Sequence, residues 1–347
     1  MRAAVLHGRE DVRVERIPVP RPGPGELLLK VEAALTCGTD VKVFRRGYHE
    51  RMIAPPSVFG HEMAGVVAAV GPGTARFGPG TRLVIANSAP CGTCYFCRRE
   101  QENLCDDLQF LNGAYAEYLL VPARFVEKNA HVIADHLPFA AAALAEPLAC
   151  VVHGVAELGP RPGDVAAVLG LGPIGLMFVA LLKKQGLTVV GIEREASRLA
   201  PARALGADEV LVPDADGRWE EHLRARWPRL DVVVEATGRP EVWELALRLV
   251  RKGGAVQLFG GCPAGTKISV DTNRLHYDQI TVKSSFHHRP CDVRAALKAL
   301  EDGAVPSQPF ISGRRPLEDL PALLREMASA SRVVKICITT GGTANEE

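Results

Sequence analysis

The sequence lacks the features that mark membrane proteins and nucleic-acid-binding proteins. None of its apolar runs reaches 18 residues, and Met1 leads directly into a strand-like pattern without the apolar core of a signal peptide. The 41 Lys and Arg residues are balanced by 40 Asp and Glu residues, so the net charge of +1 provides no basic surface for nucleic acid or anionic lipid. We therefore expect a cytoplasmic protein that acts on a small molecule, with no nucleic-acid and no membrane partner.

The sequence also lacks the composition of a disordered chain. Hydrophobic residues make up 47% of it and charged residues 23%, which is typical of a globular protein. A chain of 347 residues is too long for one ordinary core, and this predicts two domains. In the reducing cytoplasm its nine cysteines are not expected to form disulfides, so clustered cysteines indicate metal binding or catalysis.

The hydrophobic pattern changes near Pro138. Before this residue, short strands such as Glu26–Ala34 and Gly65–Val70 are separated by Pro- and Gly-rich turns, which predicts a small β-barrel-like domain. After it, Ala140–His153 is predicted to be a helix that is interrupted at Glu146-Pro147. Strands then alternate with helices, and this alternation is typical of a parallel, doubly wound sheet.

The predicted strands of the alternating part are Val165–Leu169, Thr188–Ile192, Val210–Val212, Val232–Glu235, Ala255–Phe259 and Ile280–Ser284. Two amphipathic helices are predicted to follow, at Val293–Glu301 and Leu317–Ala328. A last strand at Arg332–Ile338 and a frayed tail over Thr340–Glu347 complete the chain. The fold class that we expect is therefore α/β.

A glycine-rich segment, Gly170-Leu-Gly-Pro-Ile-Gly175, follows the first of these strands and opens a helix. Its glycines allow a tight turn, a close approach of a pyrophosphate and close helix–strand packing, and the helix N-terminus favours phosphate. Glu193 ends the next strand, where a carboxylate accepts hydrogen bonds from ribose hydroxyls and repels a 2′-phosphate, so NAD is favoured over NADP. Arg194 works against this preference, because a basic side chain can bind the extra phosphate. The cofactor-binding residues that we predict are Gly170, Gly172, Pro173, Ile174, Gly175, Glu193, Arg198 and Thr237.

Four cysteines lie in one short loop with the spacing Cys91-x2-Cys94-x2-Cys97-x7-Cys105. Zinc takes four ligands in a tetrahedron, and a CxxC turn supplies two of them at compatible spacing. Four thiolates leave no open position, so we expect a structural zinc. Disulfides and an iron–sulfur cluster are the alternatives; the reducing compartment counts against the first and the oxidoreductase context against the second.

Three further donor types lie within 25 positions, in Cys37-Gly-Thr39-Asp40 and Gly60-His61-Glu62. Cys37, His61 and Glu62 fit a mixed sulfur, nitrogen and oxygen zinc site that leaves a position for water or substrate. Each residue taken singly also has an ordinary explanation, as a buried cysteine, a core histidine or a surface glutamate. Spacing alone leaves both interpretations open.

The order of these motifs resembles that of the zinc-containing medium-chain alcohol dehydrogenase family. The shared motifs are CGTD, GHE, the four-cysteine loop, a buried Glu-Pro and the glycine-rich segment, and they span essentially the whole chain. The resemblance implies a GroES-like β-rich catalytic domain formed by residues 1–149 and 287–347, with a structural zinc lobe at 90–106. It also implies a Rossmann domain, residues 150–286, that binds NAD.

The resemblance implies the ligands of a catalytic zinc as well. Cys37 and His61 would be permanent ligands, and Glu62 or Glu146 would occupy a further position, in exchange with water. The chain departs here from the Cys₂His site of alcohol dehydrogenase, because Glu146 stands where the third ligand is a cysteine. With an acidic residue at this position, the chain resembles the sorbitol and threonine dehydrogenase branches.

In such a family member the zinc lowers the pKa of a substrate hydroxyl, and a hydride passes from the carbinol carbon to NAD. Thr39 matches the hydroxyl that passes the substrate proton outward, and Asp40 matches the carboxylate that orients His61. Many relatives carry a histidine three residues beyond this threonine, but here the position is Lys42. Two proton exits are left open, one through the ribose and water and one through His49.

Polar residues at the position that lines the substrate pocket in relatives favour a polar substrate. These are Asn87 and Ser88, just before Cys91, and Glu146 adds negative charge beside the metal. We therefore expect a polyol, a sugar alcohol or an amino alcohol. His287, after the last Rossmann strand, is a candidate to bind a substrate hydroxyl; its neighbour His288 is a second, and a packing role is the stronger expectation for each.

The sequence thus predicts a zinc-dependent oxidoreductase that transfers a hydride from a polar secondary alcohol to NAD and forms a ketone. We expect two zinc ions per chain, one catalytic and one structural, and a homo-oligomer, either a tetramer or a dimer. An L-threonine 3-dehydrogenase is one alternative, because CGTD followed by Val-Lys-Val-Phe resembles that branch. A zinc-stabilised, NAD-binding redox sensor without turnover is another, but a sensor would not need the hydroxyl of Thr39.

Overall fold

A computed structural model describes residues 1–329 and 334–340 of the chain. The strands in these residues are β1 (Arg2–Gly8), β2 (Asp11–Arg16), β3 (Leu27–Leu35), β4 (Ser57–Val58), β5 (Met63–Val70), β6 (Arg82–Ile85), β7 (Ser88–Ala89), β8 (Gln109–Phe110), β9 (Tyr118–Val121), β10 (Ala130–Val132), β11 (Val165–Leu169), β12 (Thr188–Ile192), β13 (Glu209–Leu211), β14 (Leu230–Glu235), β15 (Val250–Leu258), β16 (Thr281–Ser284), β17 (Gly313–Pro316) and β18 (Ile336–Thr339). The helices in the same residues are α1 (Gly38–Arg46), α2 (Ala123–Lys128), α3 (Phe139–Ala142), α4 (Ala145–Leu158), α5 (Pro173–Lys184), α6 (Leu199–Ala204), α7 (Arg218–Arg226), α8 (Pro240–Leu249), α9 (Thr272–Tyr277), α10 (Pro290–Glu301) and α11 (Leu320–Ser329).

The chain forms two compact units. The first contains residues 1–149 and 288–303 and the described residues from 311 onward, and the second contains residues 150–287 and 304–310. The predicted division placed all of 287–347 in the first domain, whereas the short segment 304–310 packs with the second unit. Phe310 of this segment is fully buried, and burying an aromatic ring is strongly favourable.

A seven-stranded sheet forms the centre of the first unit. Its strand order is β10-β6-β5-β3-β18-β17, and β9 also pairs with β3. Of the nine residues of β3, Lys30 and Glu32 are the two that are not buried. The strand is therefore covered on both faces along most of its length. Two smaller sheets, β2-β1-β4 and β7-β8, complete the predicted β-rich domain.

The Ala-rich stretch forms two helices, and the predicted interruption at Glu146-Pro147 is wrong. Ala143 and Leu144 separate α3 from α4, so Glu146 and Pro147 lie in the first turn of α4. Proline is tolerated there because the first N–H groups of a helix have no intrahelical partner. Glu146 is therefore presented by the start of a regular helix.

The stretch that contains both helices, Phe139–Leu158, is long and apolar enough to cross a membrane by length and composition alone. It is the one such stretch among residues 1–329 and 334–340, and 78% of its 18-residue window is buried inside the protein. The core helix of a soluble protein meets the same criteria. Its apolarity is therefore weak support for a membrane role.

The second unit is a doubly wound parallel sheet with the strand order β13-β12-β11-β14-β15-β16. The predicted strands Val165–Leu169 and Thr188–Ile192 are confirmed residue for residue. Counted from β11, the order is 3-2-1-4-5-6, which is that of the dinucleotide-binding Rossmann fold. In such sheets ligands bind where the order reverses, beyond the carboxyl ends of β11 and β14.

The last strand begins later than predicted. β18 spans Ile336–Thr339 and pairs antiparallel with β3 and parallel with β17, whereas the prediction was Arg332–Ile338. Residues 330–333 and most of the tail predicted to fray, residues 341–347, lie outside the described residues. Thr340 is buried and its hydroxyl donates to the carbonyl of Val31, so the sheet still holds the chain at this position.

Candidate active site

Cys37 is held at the N-terminus of α1. It forms the N-cap of the helix, with φ −128° and ψ 152°. Its sulfur accepts a hydrogen bond from the N–H of Thr39 at 3.5 Å, and its own N–H donates to Asp40 Oδ2 at 2.9 Å. These reciprocal bonds form a capping box in which cysteine replaces the usual Ser or Thr. The cap both orients the sulfur and places the Asp40 carboxylate beside it.

His61 is positioned by Asp40 and by the glycine that precedes it. Gly60 has φ +91°, and a Cβ there would lie 2.5 Å from the ring of Tyr115, so this position requires glycine. Asp40 Oδ1 lies 3.1 Å from His61 Nδ1, and both side chains are buried. Burial opposes a charged imidazole, but Asp40 and then Cys37 outweigh it and raise the pKa of His61 well above its usual value. Because Nδ1 faces Asp40, Nε2 is the nitrogen left for a metal.

Glu62 is paired with a buried lysine that the sequence patterns did not identify. Both of its carboxylate oxygens lie 2.6 Å from Lys335 Nζ, which also donates to the carbonyl of Thr36 at 3.0 Å. The two side chains are 0% and 2% exposed. Burial opposes the charge on Lys335, but Glu62 and then Cys37 outweigh it and raise its pKa. The one sequence signal was a lone lysine in an apolar, strand-like stretch.

The donor atoms of Cys37, His61 and Glu62 lie within 4.8 Å of one another. Sulfur, nitrogen and oxygen are the ligand types that zinc takes, and three protein ligands leave a fourth position open. A carboxylate has about four lone-pair sites, so Lys335 leaves lone pairs of Glu62 for a metal. These three side chains therefore fit a catalytic zinc.

Glu146 faces His288, and its place as a zinc ligand stays a prediction. Its Oε1 lies 3.7 Å from His288 Nε2. Glu146 is not part of the compact cluster that Cys37 forms with its neighbours. Burial raises the pKa of Glu146 to about 7; His61 opposes this shift and Glu62 reinforces it. The Glu146 carboxyl group is thus close enough to interact electrostatically with His61 and Glu62.

A buried polar cluster joins Asn87 to His288. Asn87 Oδ1 lies 3.3 Å from His288 Nε2, the same nitrogen that faces Glu146. Ser88 lies in the short strand β7 and is also buried. The predicted substrate residue His287 lies in the second unit, with a left-handed backbone of φ 61°. Adjacency in the sequence did not reveal which of the two histidine rings would meet Asn87.

The residues expected to carry the substrate proton lie on α1 and just after it. Thr39 is half-buried in the first turn, and Lys42 is exposed one turn later. His49 is half-buried, and its Nδ1 accepts a hydrogen bond from the N–H of Arg51 at 3.2 Å. Burial lowers the pKa of His49, with Glu50 opposing this shift. The proton exit through His49 stays a prediction.

The four cysteines of the lobe converge. The sulfurs of Cys91 and Cys97 are 3.9 Å apart, those of Cys94 and Cys105 are 3.8 Å apart, and all four lie within 4.8 Å of one another. Zinc–sulfur bonds of about 2.3 Å place tetrahedral sulfurs about 3.8 Å apart, so the spacing fits zinc. Hydrogen bonds from Thr93 and the N–H of Cys94 lower the pKa of Cys91 to about 6, whereas burial raises that of Cys97 to about 12. A cation would allow all four to ionise.

The glycine-rich segment forms a cradle at the point where the strand order of the second unit reverses. Gly170 has φ +90°, and a Cβ there would lie 2.5 Å from Thr237 Cγ2. A Cβ on Gly175 would lie 1.8 Å from the carbonyl oxygen of Gly170. Gly172 caps α5, and the nearest atom to a Cβ on it would be Arg198 Nη1 at 3.9 Å. The open face above Gly172, at the start of the helix that Pro173 and Ile174 begin, fits a pyrophosphate.

Glu193 is held in its charged form beside this cradle. Its carboxylate accepts hydrogen bonds from the N–H groups of Leu171, Arg194 and Glu195 at 2.7–2.9 Å and from Arg198 Nη1 at 3.2 Å. Burial opposes ionisation, but these donors outweigh it and lower the pKa of Glu193. A negative charge here favours two ribose hydroxyls over a 2′-phosphate.

Glu235 anchors the predicted cofactor residue Thr237. At the end of β14, its carboxylate accepts hydrogen bonds from the N–H groups of Thr237 at 2.6 Å and Gly238 at 3.0 Å, and from the hydroxyl of Thr237. This holds Thr237 against Gly170. An acidic residue that ends a strand just before Thr-Gly was the sequence signal for this contact.

Two protein-family models match the chain. "Alcohol dehydrogenase GroES-like domain" matches residues 23–131, and "Zinc-binding dehydrogenase" matches residues 173–302. A sorbitol dehydrogenase of Bacillus subtilis is 30% identical over 347 residues, which cover 97% of each chain. A D-altritol 5-dehydrogenase of Agrobacterium fabrum is 35% identical over 92% of this chain and 94% of its own. An L-threonine 3-dehydrogenase of Pyrococcus abyssi is 36% identical over 79% of this chain and 78% of its own.

Solved structures share the fold over nearly the whole chain. A protein from Sinorhizobium meliloti, described as a zinc-binding dehydrogenase and bound to NADP, has a TM-score of 0.89 and is 31% identical. An alcohol dehydrogenase from Thermus sp. ATN1 has a TM-score of 0.87 and is 30% identical. Each match covers 98% of this chain and 99% of the other.

Proposed function

This chain belongs to the zinc-containing medium-chain alcohol dehydrogenase family, in the branch of the polyol and threonine dehydrogenases, and we propose that it oxidises a polar secondary alcohol to a ketone with NAD. The observation that carries this proposal is the donor set of half-buried Cys37 and buried His61 and Glu62, with His61 facing Asp40. When bound, zinc supplies a Lewis acid for the substrate hydroxyl, and the nicotinamide accepts the hydride.

The side chains of this chain prepare the site for that reaction. Asp40 holds Nδ1 of His61, so that Nε2 is the nitrogen left to bind a metal. Lys335 balances the charge of Glu62 in a region closed to water. The hydroxyl of Thr39, in the first turn of α1, is our candidate to pass a proton between the substrate and solvent. Glu146 stays a candidate for a further ligand position.

A substrate with several polar groups fits the residues near the metal-binding cluster. Asn87, His288 and Glu146 offer a buried amide, an imidazole and a carboxyl group, which suit hydroxyls better than an alkyl chain. The relatives named for sorbitol and D-altritol support a polyol or sugar alcohol. L-Threonine is the second candidate, supported by the relatives named for its oxidation.

The test combines metal analysis with a substrate panel. The purified protein is expected to contain two zinc ions per chain and to form NADH with polyols such as sorbitol, more slowly with L-threonine, and least with ethanol. Stripping the metal with a chelator should abolish turnover, and added zinc should restore it. One zinc per chain together with no turnover on any alcohol would contradict the enzyme and favour the redox-sensor alternative.

The choice of NAD over NADP is a separate part of the proposal. It is supported by the charged Glu193 carboxylate, while Arg198 at 3.2 Å from it works in the other direction. The expected result is a kcat/KM for NAD at least about 10-fold above that for NADP, since a carboxylate facing a 2′-phosphate is repulsive. Equal values for the two cofactors would contradict it.

That the protein forms a homodimer or homotetramer in the cytoplasm also stays a prediction. Sedimentation velocity can check the oligomeric state.

A further inference from the structure

A buried tyrosine lies behind the metal-binding cluster. Tyr115 precedes β9 and is 0% exposed. Its ring fills the space beside Gly60, where any side chain would collide with it, and it packs 5.7 Å from the ring of Phe59. The ring is thus fitted to the segment that leads directly into His61.

The hydroxyl of this tyrosine reaches the carboxylate that orients His61. Tyr115 Oη lies 2.6 Å from Asp40 Oδ2 and 3.0 Å from the carbonyl oxygen of Leu35. A phenol has one proton to donate, and the charged carboxylate at the shorter distance is the stronger acceptor. The same Oδ2 accepts from the N–H of Cys37 at 2.9 Å, and Oδ1 faces His61 Nδ1.

We propose that Tyr115 is a positioning residue that fixes the Asp40 carboxylate and, through it, the zinc-binding orientation of His61. The inference rests on the proposed catalytic zinc site. Without the hydroxyl, Oδ2 has one remaining donor, the N–H of Cys37. The site is closed to bulk water, since Asp40 is 1% exposed and Tyr115 0%. The carboxylate can then rotate about its Cβ–Cγ bond, and the imidazole loses its fixed angle.

The test measures zinc retention. Tyr115→Phe keeps the ring that packs against Gly60 and removes only the hydroxyl. Zinc-loaded protein is mixed with the coloured chelator 4-(2-pyridylazo)resorcinol, and the release of each zinc equivalent is followed. In Tyr115→Phe one equivalent should leave at least about 10-fold faster than in the wild type, the lower end of the range for partners of metal ligands. The lobe zinc should leave at the wild-type rate.

Two further variants separate a positioning role from a structural one. Tyr118→Phe is the control, because it removes the hydroxyl of a different tyrosine, at the start of β9. Both zinc ions should leave this variant at wild-type rates. Asp40→Asn should speed release of the same equivalent as Tyr115→Phe, and the double variant should be no faster than Asp40→Asn alone, because both act through one carboxylate. Cobalt substitution adds a spectroscopic readout: the d–d bands of the catalytic-site cobalt should shift in Tyr115→Phe and not in Tyr118→Phe.

The outcomes also separate this inference from the proposed function. Two zinc ions that leave Tyr115→Phe at wild-type rates would overturn the role of Tyr115 and leave the dehydrogenase proposal intact. Multiplied effects in the double variant would do the same, because they would show that Tyr115 acts independently of Asp40. A wild-type protein that binds zinc in the lobe alone would overturn both.

Discussion

Two clusters of candidate metal ligands lie wholly within the described residues of the first unit, and they are built in opposite ways. The four cysteines of the lobe come from one segment, with Cys91 and Cys105 14 positions apart, and Cys105 is the one that is buried. The cluster around Cys37 is drawn from the end of β3, the start of β5 and the start of β18, and Lys335 is 273 positions from Glu62. Its charged side chains are almost completely buried.

This difference indicates what holds each cluster together. The lobe has few buried apolar contacts of its own, so the metal should supply much of its folding energy. The second cluster is held by hydrogen bonds and ion pairs between distant strands, as Lys335 shows by joining Glu62 to Thr36. We therefore expect loss of metal to unfold the first and to leave the second in place.

The largest expected effect comes from removing the sulfur of the Cys37 cluster. In Cys37→Ser, turnover should fall at least about 1,000-fold, or about 4 kcal/mol of transition-state stabilisation, because a neutral hydroxyl is a poor zinc ligand. The free energy of unfolding and the affinity for NADH should change little, because hydrogen bonds and ion pairs, rather than the metal, hold this cluster in place. Steady-state rates, zinc content and NADH fluorescence titration provide the measurements.

Cys291→Ser is the matched control, because Cys291 is exposed and belongs to neither cluster. Its rate and zinc content should equal those of the wild type. A Cys37→Ser protein that kept two zinc ions and most of its activity would show that the metal assignment is wrong.

The corresponding change in the lobe should act on stability instead. Cys94→Ser should release one zinc and lower the free energy of unfolding by on the order of 4 kcal/mol, because the binding energy of a structural zinc is folding energy. Urea titration, with and without a chelator, measures this. The chelator should destabilise the wild type and have little further effect on the variant. A variant as stable as the wild type would remove the distinction between the two clusters.

Breaking the buried ion pair tests whether that pair holds the Cys37 cluster together. Lys335→Met should lower the free energy of unfolding by about 3 kcal/mol, because Glu62 would remain as a buried charge without a partner. The measurement is urea unfolding of metal-free protein, so that a bound cation does not replace Lys335. Combining the change with Glu62→Gln should restore most of the loss. Equal stability of Lys335→Met and the wild type would count against this account.

The smallest expected effect concerns a histidine outside the candidate metal clusters. His131 lies in β10, with Nε2 3.1 Å from Asn129 Oδ1, and burial followed by the charges of Arg294 and Arg76 lowers its pKa to about 4. The unfolded chain binds this proton below about pH 6.5, so the folded state loses stability as the pH falls from about 6.5 to about 4.

The variant His131→Gln lacks this titration. Between pH 7.5 and pH 5 the wild type should lose about 2 kcal/mol more free energy of unfolding than the variant, as urea titrations at the two pH values would show. The pKa of His61 shifts in the opposite direction, because Asp40 outweighs the effect of burial and raises it. Parallel pH profiles for the wild type and His131→Gln would mean that His131 is not held neutral.

The parts of the protein that local patterns encode were predictable. The strand Val165–Leu169 and the glycine-rich segment after it follow from short apolar runs and from backbone shapes that only glycine adopts, as the +90° φ of Gly170 shows. The CxxC spacing of the lobe brings its sulfurs together through turns of a few residues. The family resemblance, which the matching family models bear out, supplied the roles that we propose for residues such as Cys37, which spacing left open.

Other features were not predictable, because they arise where distant strands meet. In the sequence, Lys335 is a lone charge in an apolar stretch, and no neighbouring residue indicates that Glu62 is its partner. His288 rather than His287 meets Asn87, since the backbone turn between them decides which ring faces the first unit's core. The break between α3 and α4 was misplaced because proline is compatible with the first turn of a helix as well as with an interruption.

Local chemistry therefore specified the candidate residues for zinc and for a dinucleotide, since ligand type and turn geometry depend on a few neighbouring positions. The tertiary structure decided how the charges of the Cys37 cluster are balanced. Tyr115, Asp40 and His61 form one line of contacts, and Lys335 offsets Glu62, through side chains from opposite ends of the chain. The physical reason is burial: a charge removed from water must find its partner inside the fold, and the sheet brings that partner from wherever its strand lies in the sequence.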